Sequence, residues 1–85
     1  MKEFSYTIND PVGIHARPAG LLTKKLQEFS SSVTIIRGND KCEGTKMLAL
    51  MKMRVKAGES ITLQFEGADE EAAAAETQSY LAELL

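Results

Sequence analysis

Tryptophan is absent from these 85 residues, cysteine and histidine occur once each, and proline only twice. A lone cysteine, Cys42, excludes an internal disulfide and any cysteine-built metal cluster, so it reads as a small, half-buried apolar residue. No stretch approaches the roughly 18 consecutive apolar residues of a membrane span. The opening MKEFSYTIND has no apolar core of the kind a secretory signal carries, and a cytoplasmic protein is expected. An excess of positive charge is also missing. With a net charge of −2 and a pI near 5.3, the chain is not a general nucleic-acid binder, a class whose pI usually exceeds about 9. Small molecules or proteins are the expected partners, with no nucleic acid and no membrane.

What is present suits an ordinary folded domain: 44% hydrophobic and 26% charged residues, in a length that supports one two-layer core over residues 1–85 and no second domain. In FSYTI, Phe4, Tyr6 and Ile8 alternate with polar residues, the pattern of a strand with one buried face. NDPVG breaks it. From Pro18 onward, Ala19, Leu22, Leu26 and Phe29 recur at three- and four-residue steps, a helical stripe ended by Ser30–Ser32. VTIIR and KCE flank the turn-prone GNDK and predict a hairpin. TKMLALMKMRV predicts a short helix capped by Thr45. SITLQFEG alternates as a strand, with Ile61, Leu63 and Phe65 inward. Asp69 is placed to cap a last helix that carries Glu70 and Glu71 in its first turn and offers Tyr80, Leu81 and Leu84 for packing. The order β-α-β-β-α-β-α, with every strand alternating, predicts an α/β (α+β) open-faced sandwich: an antiparallel sheet, solvated on one face and covered by helices on the other.

The chain's one histidine lies in GIHARPAG. Gly13 permits a sharp turn, and Pro18 suits a first helical turn, where its missing N–H has no intrahelical partner. Pro18 also biases Arg17 away from helical dihedrals, so the helix is expected to begin between Ala16 and Pro18. His15 then stands just outside a helix N-terminus, beside free amides and the positive end of the dipole. Ala16 has no side chain to cap those amides, which stay open to an outside acceptor such as a phosphoryl group on the imidazole. Arg17 adds a planar fork of donors suited to phosphate oxygens. The helix end and Arg17 both favour the uncharged, nucleophilic imidazole. The constellation fits a histidine that accepts a phosphoryl group and gives it away. One histidine and one cysteine leave no metal site, and an acyl-transfer triad lacks its partners. No cofactor is implied.

GIHARPAG, together with TKMLALMKM and AGESITLQFEGADEEAA, strongly resembles the HPr family, the histidine-containing phosphocarriers of the bacterial phosphoenolpyruvate-dependent sugar phosphotransferase system. The resemblance implies a four-stranded antiparallel sheet of order 1-4-2-3 with three helices on one face. It implies a monomer that is a covalently phosphorylated carrier rather than a self-sufficient enzyme. In this reading His15 takes a phosphoryl group from enzyme I and passes it to enzyme IIA proteins or domains, Arg17 assists, and Ala16, Arg17 and Pro18 form the phosphate-cradling helix start. The family's docking surface falls here on Gly20, Leu21, Lys24, Met47, Leu48 and Met51. Leu21 lies off the apolar stripe of its helix, and the second helix is too apolar for all its large side chains to be buried, which agrees with a partner surface. The resemblance departs at Lys46, where many relatives in low-GC Gram-positive bacteria carry a regulatory serine, so the hydroxyl that a serine-directed kinase would modify is missing. Two alternatives stand beside the phosphocarrier: an HPr paralogue acting mainly as a regulatory docking module, and a small domain that binds an anion non-covalently.

Overall fold

The computed structural model describes residues 1–85, and each alternating run of the sequence becomes a strand. Strands β1 (Lys2–Thr7), β2 (Ser32–Arg37), β3 (Asp40–Glu43) and β4 (Ser60–Glu66) pair antiparallel in the order β1-β4-β2-β3. Helices α1 (Ala16–Leu26), α2 (Met47–Lys52) and α3 (Glu70–Leu84) complete the β-α-β-β-α-β-α chain. Register explains the core. Phe4 lies opposite Leu63 and Tyr6 opposite Ile61, while Val33 and Ile35 face Phe65 and Leu63, so every apolar position of the central strand meets apolar neighbours on the same face. Ile61, Leu63 and Phe65 are fully buried. The Phe4 ring stacks on Phe65 with centroids 5.9 Å apart, worth about 0.5–1.5 kcal/mol beyond its buried area. On the other face, hydroxyls pair across strands: Ser5 with Thr62 at 3.0 Å and Thr7 with Ser60 at 2.9 Å.

The hairpin between β2 and β3 is tighter than GNDK suggests. Arg37 pairs directly with Asp40, leaving a two-residue turn with Gly38 at φ 58° and no positive φ at Asn39, the dihedral pattern of a type II′ turn. The stripe of α1 is buried as its spacing predicts, with Ala19, Leu22 and Leu26 fully inside. Phe29 falls outside the helix, which ends at Leu26, and packs against the core from the turn that follows. Cys42 is half-buried, and partial burial followed by the neighbouring Glu43 charge pushes its thiol above the ordinary range, which keeps it unreactive near neutral pH. No helix is long and apolar enough to cross a membrane.

Two caps differ from expectation. The N-cap of α2 is Lys46, not Thr45. The chain is held before the helix by the Gly44 amide on the Val33 carbonyl at 2.7 Å and by Gln27, whose amide donates to the Thr45 carbonyl at 3.1 Å. The helix starts one residue later, on a side chain with no acceptor. Asp69 does occupy the N-cap position of α3, but its carboxylate caps nothing there. It accepts instead from the amides of Ser30 and Ser31, at 3.0 and 2.9 Å, and from the Ser31 hydroxyl. Ser31 is buried, so its polar groups need these partners. One residue departs from regular backbone: Arg54, just past α2, has φ 51°, a conformation that costs a side-chain-bearing residue roughly 1–2 kcal/mol.

The Ser31 hydroxyl, then the Ser30 amide, hold the Asp69 carboxyl below the usual range. A carboxyl lowered by folding stabilises the folded state above its unfolded value, and this contribution disappears as pH falls through the lowered folded value. Asp69→Asn is therefore expected to be less stable than the parent at neutral pH, with the gap narrowing below about pH 4. Melting temperatures of both proteins across that range check it, and a constant gap would show that the charge is not used.

Candidate functional site

Three segments meet at the His15 loop. The amides of Asn9 and Asp10 donate to the Leu85 main-chain oxygen at 2.8 and 2.9 Å, the Gly13 amide to the Asp10 carbonyl at 2.9 Å, and the Ile14 amide to the Val55 carbonyl at 3.0 Å. Gly13 has φ 80°, and a Cβ there would stand 2.5 Å from the Val55 carbonyl oxygen and 2.8 Å from Lys56 Cα. Only glycine allows this approach. Ile14, next in line, is buried and anchors the loop to the core.

His15 is itself the N-cap of α1, with extended dihedrals and no side-chain bond to the helix. Its carbonyl accepts from the Ala19 amide at 2.9 Å, so the cap is made by backbone alone and the imidazole is left out of it. The ring is 42% exposed, with Nε2 3.9 Å from Asp10 Oδ2. Ala16 and Arg17 are the first two helical residues, and their amides have no partner. Arg17 is thus helical despite the bias from Pro18, and Pro18 itself, in the first turn, sacrifices no intrahelical bond. Pro18 is buried and has no N–H to offer, so it shapes the helix start, while Ala16 and Arg17 supply its free donors. The first turn contains no acidic residue. Arg17 is exposed and forms no ion pair. A shallow depression of about 350 Å³ runs between Asp10, His15, Arg17 and Glu83. The arrangement joins an accessible nucleophile, two open amides and a free guanidinium, which together suit a tetrahedral anion attached to the ring.

A family model described as the phosphorylation site of the PTS HPr component matches residues 2–83. The chain belongs to the HPr family. A phosphocarrier protein HPr of Mycoplasma capricolum is 42% identical over 69 residues, 81% of this chain and 78% of that protein. The Mycoplasma genitalium HPr is 37% identical over 86 residues, 95% of this chain and 93% of its own. Among solved structures, a Mycoplasma histidine-containing phosphocarrier superposes with a TM-score of 0.93 at 35% identity, over 96% of this chain and 93% of the other. HPr-C-His from Thermoanaerobacter tengcongensis gives 0.88 at 34% identity, over 98% and 92%.

Within the HPr fold, the residues expected to meet partners do not share one environment. Leu48 is 74% exposed, Leu21 39% and Met47 37%, and Lys24 is exposed. Gly20 is half-buried where the helices meet, a Cβ at this position lying 3.7 Å from Met47 Sδ. Met51 is half-buried against the core, so its side chain serves the fold as well as the surface. Two residues of the site escaped the sequence reading. Asp10 sits in an Asp-Pro turn signal but carries no motif of its own, and Leu85 acts through a main-chain oxygen that no side-chain pattern could disclose.

Gly13→Ala is expected to destabilise the protein by at least about 2 kcal/mol, combining a left-handed backbone with contact against the Val55 carbonyl. Denaturant unfolding measures it. A loss under about 0.5 kcal/mol, the range of unremarkable surface changes, would show that the loop does not depend on this approach.

Proposed function

We propose that this HPr-family chain accepts a phosphoryl group on His15 from enzyme I and passes it to enzyme IIA proteins or domains, working as a cytoplasmic monomer. The observation that carries this reading is the unused N-terminus of α1: two amides without acceptors, no acidic residue, and an unpaired Arg17 beside an accessible imidazole. By contrast the first turn of α3 already holds Glu70 and Glu71. Charge-assisted hydrogen bonds of about 1.5–3 kcal/mol each and a helix-end contribution of roughly 0.3–1 kcal/mol hold a phosphoryl group without trapping it. In this role the protein is consumed and regenerated as a covalent intermediate, and the chemistry is completed by its partners.

Incubation with enzyme I and labelled phosphoenolpyruvate tests the reading. One acid-labile phosphate is expected on the parent, none on His15→Ala, and transfer slowed about 10- to 100-fold for Arg17→Ala, equivalent to roughly 1.4–2.8 kcal/mol. Acid-stable label, or label persisting on His15→Ala, would refute it, and non-covalent anion binding predicts no label at all.

In this reading the exposed Leu21, which lines the depression with His15, and the exposed Met47 and Leu48 of α2 supply the docking contacts, together with the exposed Lys24. Residues 11–27 and 45–58 carry seven of the ten basic residues and none of the twelve acidic ones, so these two segments are basic in an acidic chain. That supports partners whose docking surfaces are apolar at the centre and acidic around it. Leu48→Asp is expected to weaken enzyme I binding at least about tenfold, or 1.4 kcal/mol, with a melting temperature close to the parent. Met51→Asp should lower both, since its side chain is half inside. Unaltered affinity for Leu48→Asp, measured by titration calorimetry, would move docking elsewhere.

A further inference from the structure

We propose that Asp10 is a positioning residue for phosphoryl transfer: its carboxylate holds the proton of the neutral His15 ring on Nε2 and leaves Nδ1 as the atom that attacks phosphorus. This inference rests on His15 being the phosphoryl acceptor.

Asp10 is held on three sides. Its amide donates to the Leu85 main-chain oxygen at 2.9 Å, its carbonyl accepts from the Gly13 amide at 2.9 Å, and Oδ1 accepts from the Val12 amide at 2.9 Å. The remaining oxygen, Oδ2, lies 3.9 Å from His15 Nε2, and no other cation pairs with it. A neutral imidazole carries its proton on one nitrogen and a lone pair on the other. A fixed carboxylate beside Nε2 favours the tautomer with the proton there, as carboxylates do for metal-binding histidines. The gap exceeds a hydrogen bond in the resting protein, and such contacts shorten in the reacting complex.

The Nδ1 lone pair forms the new bond to phosphorus while the bond from phosphorus to the donor's leaving atom breaks, its electron pair staying on that atom. Nε2 keeps its hydrogen throughout. The ring therefore becomes an imidazolium, and its positive charge develops against Asp10, while Arg17 stands ready for the phosphoryl oxygens. Of the other charged groups around the depression, Glu83 reinforces the negative side and Arg17 opposes it. Onward transfer reverses the sequence, with the protonated ring as the leaving group.

Asp10→Asn separates charge from architecture. Its Oδ1 still accepts from the Val12 amide, which turns the NH2 group toward Nε2 and makes the ring an acceptor there. Nitrogen-15 NMR of histidine-labelled, unphosphorylated protein, at a pH where the ring is neutral, is expected to show mainly Nε2–H in the parent. In Asp10→Asn the balance shifts toward Nδ1–H, with Asp10→Ala between the two. Val12 and Gly13 amide shifts and the melting temperature of Asp10→Asn should remain close to the parent. With enzyme I and phosphoenolpyruvate, phosphorylation should slow about two- to five-fold for Asp10→Asn, the range of an exposed charge pair, and phosphorus–nitrogen coupling should place the group on Nδ1 in the parent. Unchanged tautomer populations in Asp10→Asn, or a phosphoryl group on Nε2 of the parent, would overturn the proposal. Should no chain become phosphorylated, the carrier reading fails, while the tautomer measurement still decides what Asp10 does to the ring.

Discussion

The hydrogen bond from Ile14 to Val55, with Gly13 pressed against the backbone of Val55 and Lys56, is the contact on which the functional half of the molecule depends. It ties the turn after β1 to the segment that links α2 to β4, and β4 lies between β1 and β2 in the sheet. Because Ile14 is buried on one side of it, His15 has no freedom to choose its direction: the next residue must start α1. The backbone that carries the half-exposed imidazole is thereby fixed by residues on both sides of it. The Leu85 main-chain oxygen secures the other end of the turn through the amides of Asn9 and Asp10.

Once the loop is fixed, the site is made by omission. A helix start is ordinarily closed by a Ser, Thr, Asp or Asn side chain, which contributes about 1 kcal/mol. Here His15 caps with its backbone only, Ala16 contributes nothing, and Pro18 has no donor to satisfy. What is left is a small number of donors that point outward. The same economy is visible at α2, where Lys46 stands in the cap position and Leu48 is left in solvent. At α3, where no partner is expected, the helix start carries two glutamates and Asp69 is spent on the Ser30–Ser31 crossing. The starts of the two shorter helices are thus left without side-chain caps, although α1 still buries Ala19, Leu22 and Leu26 completely. One buried polar atom remains without a partner, the Thr77 hydroxyl on α3, and nothing in the structure explains it.

Much of this was legible in the residue order. Strands β1, β2 and β4 declare themselves because one face is buried and the other solvated, so hydrophobicity alternates with the pleat. The stripe of α1 and the turn chemistry at Gly38 are equally local. GIHARPAG pointed to an anion site at a helix start because Gly, His, Arg and Pro each constrain the same few bonds. Errors arose where a local preference met a distant partner. Thr45 is a better cap than Lys46 by its own chemistry, yet Val33 and Gln27 decide where the chain enters α2. Asp69 prefers to cap its own helix until two buried serine amides compete for the same oxygens.

By itself, then, the sequence determined the element order, the buried face of each strand, and the place of the one histidine just before a helix start, because these follow from periodicity and from chemistry held within a few consecutive bonds. Tertiary structure alone decided the surroundings of that group. It brought Asp10 to within 3.9 Å of Nε2, supplied Leu85 as the acceptor that steadies the turn, and divided the apolar side chains of α2 into the buried Leu50, the half-buried Met51 and the exposed Leu48. Such outcomes depend on how a rigid sheet and three helices fill space together, and no residue's neighbours along the chain encode the neighbours it acquires across it.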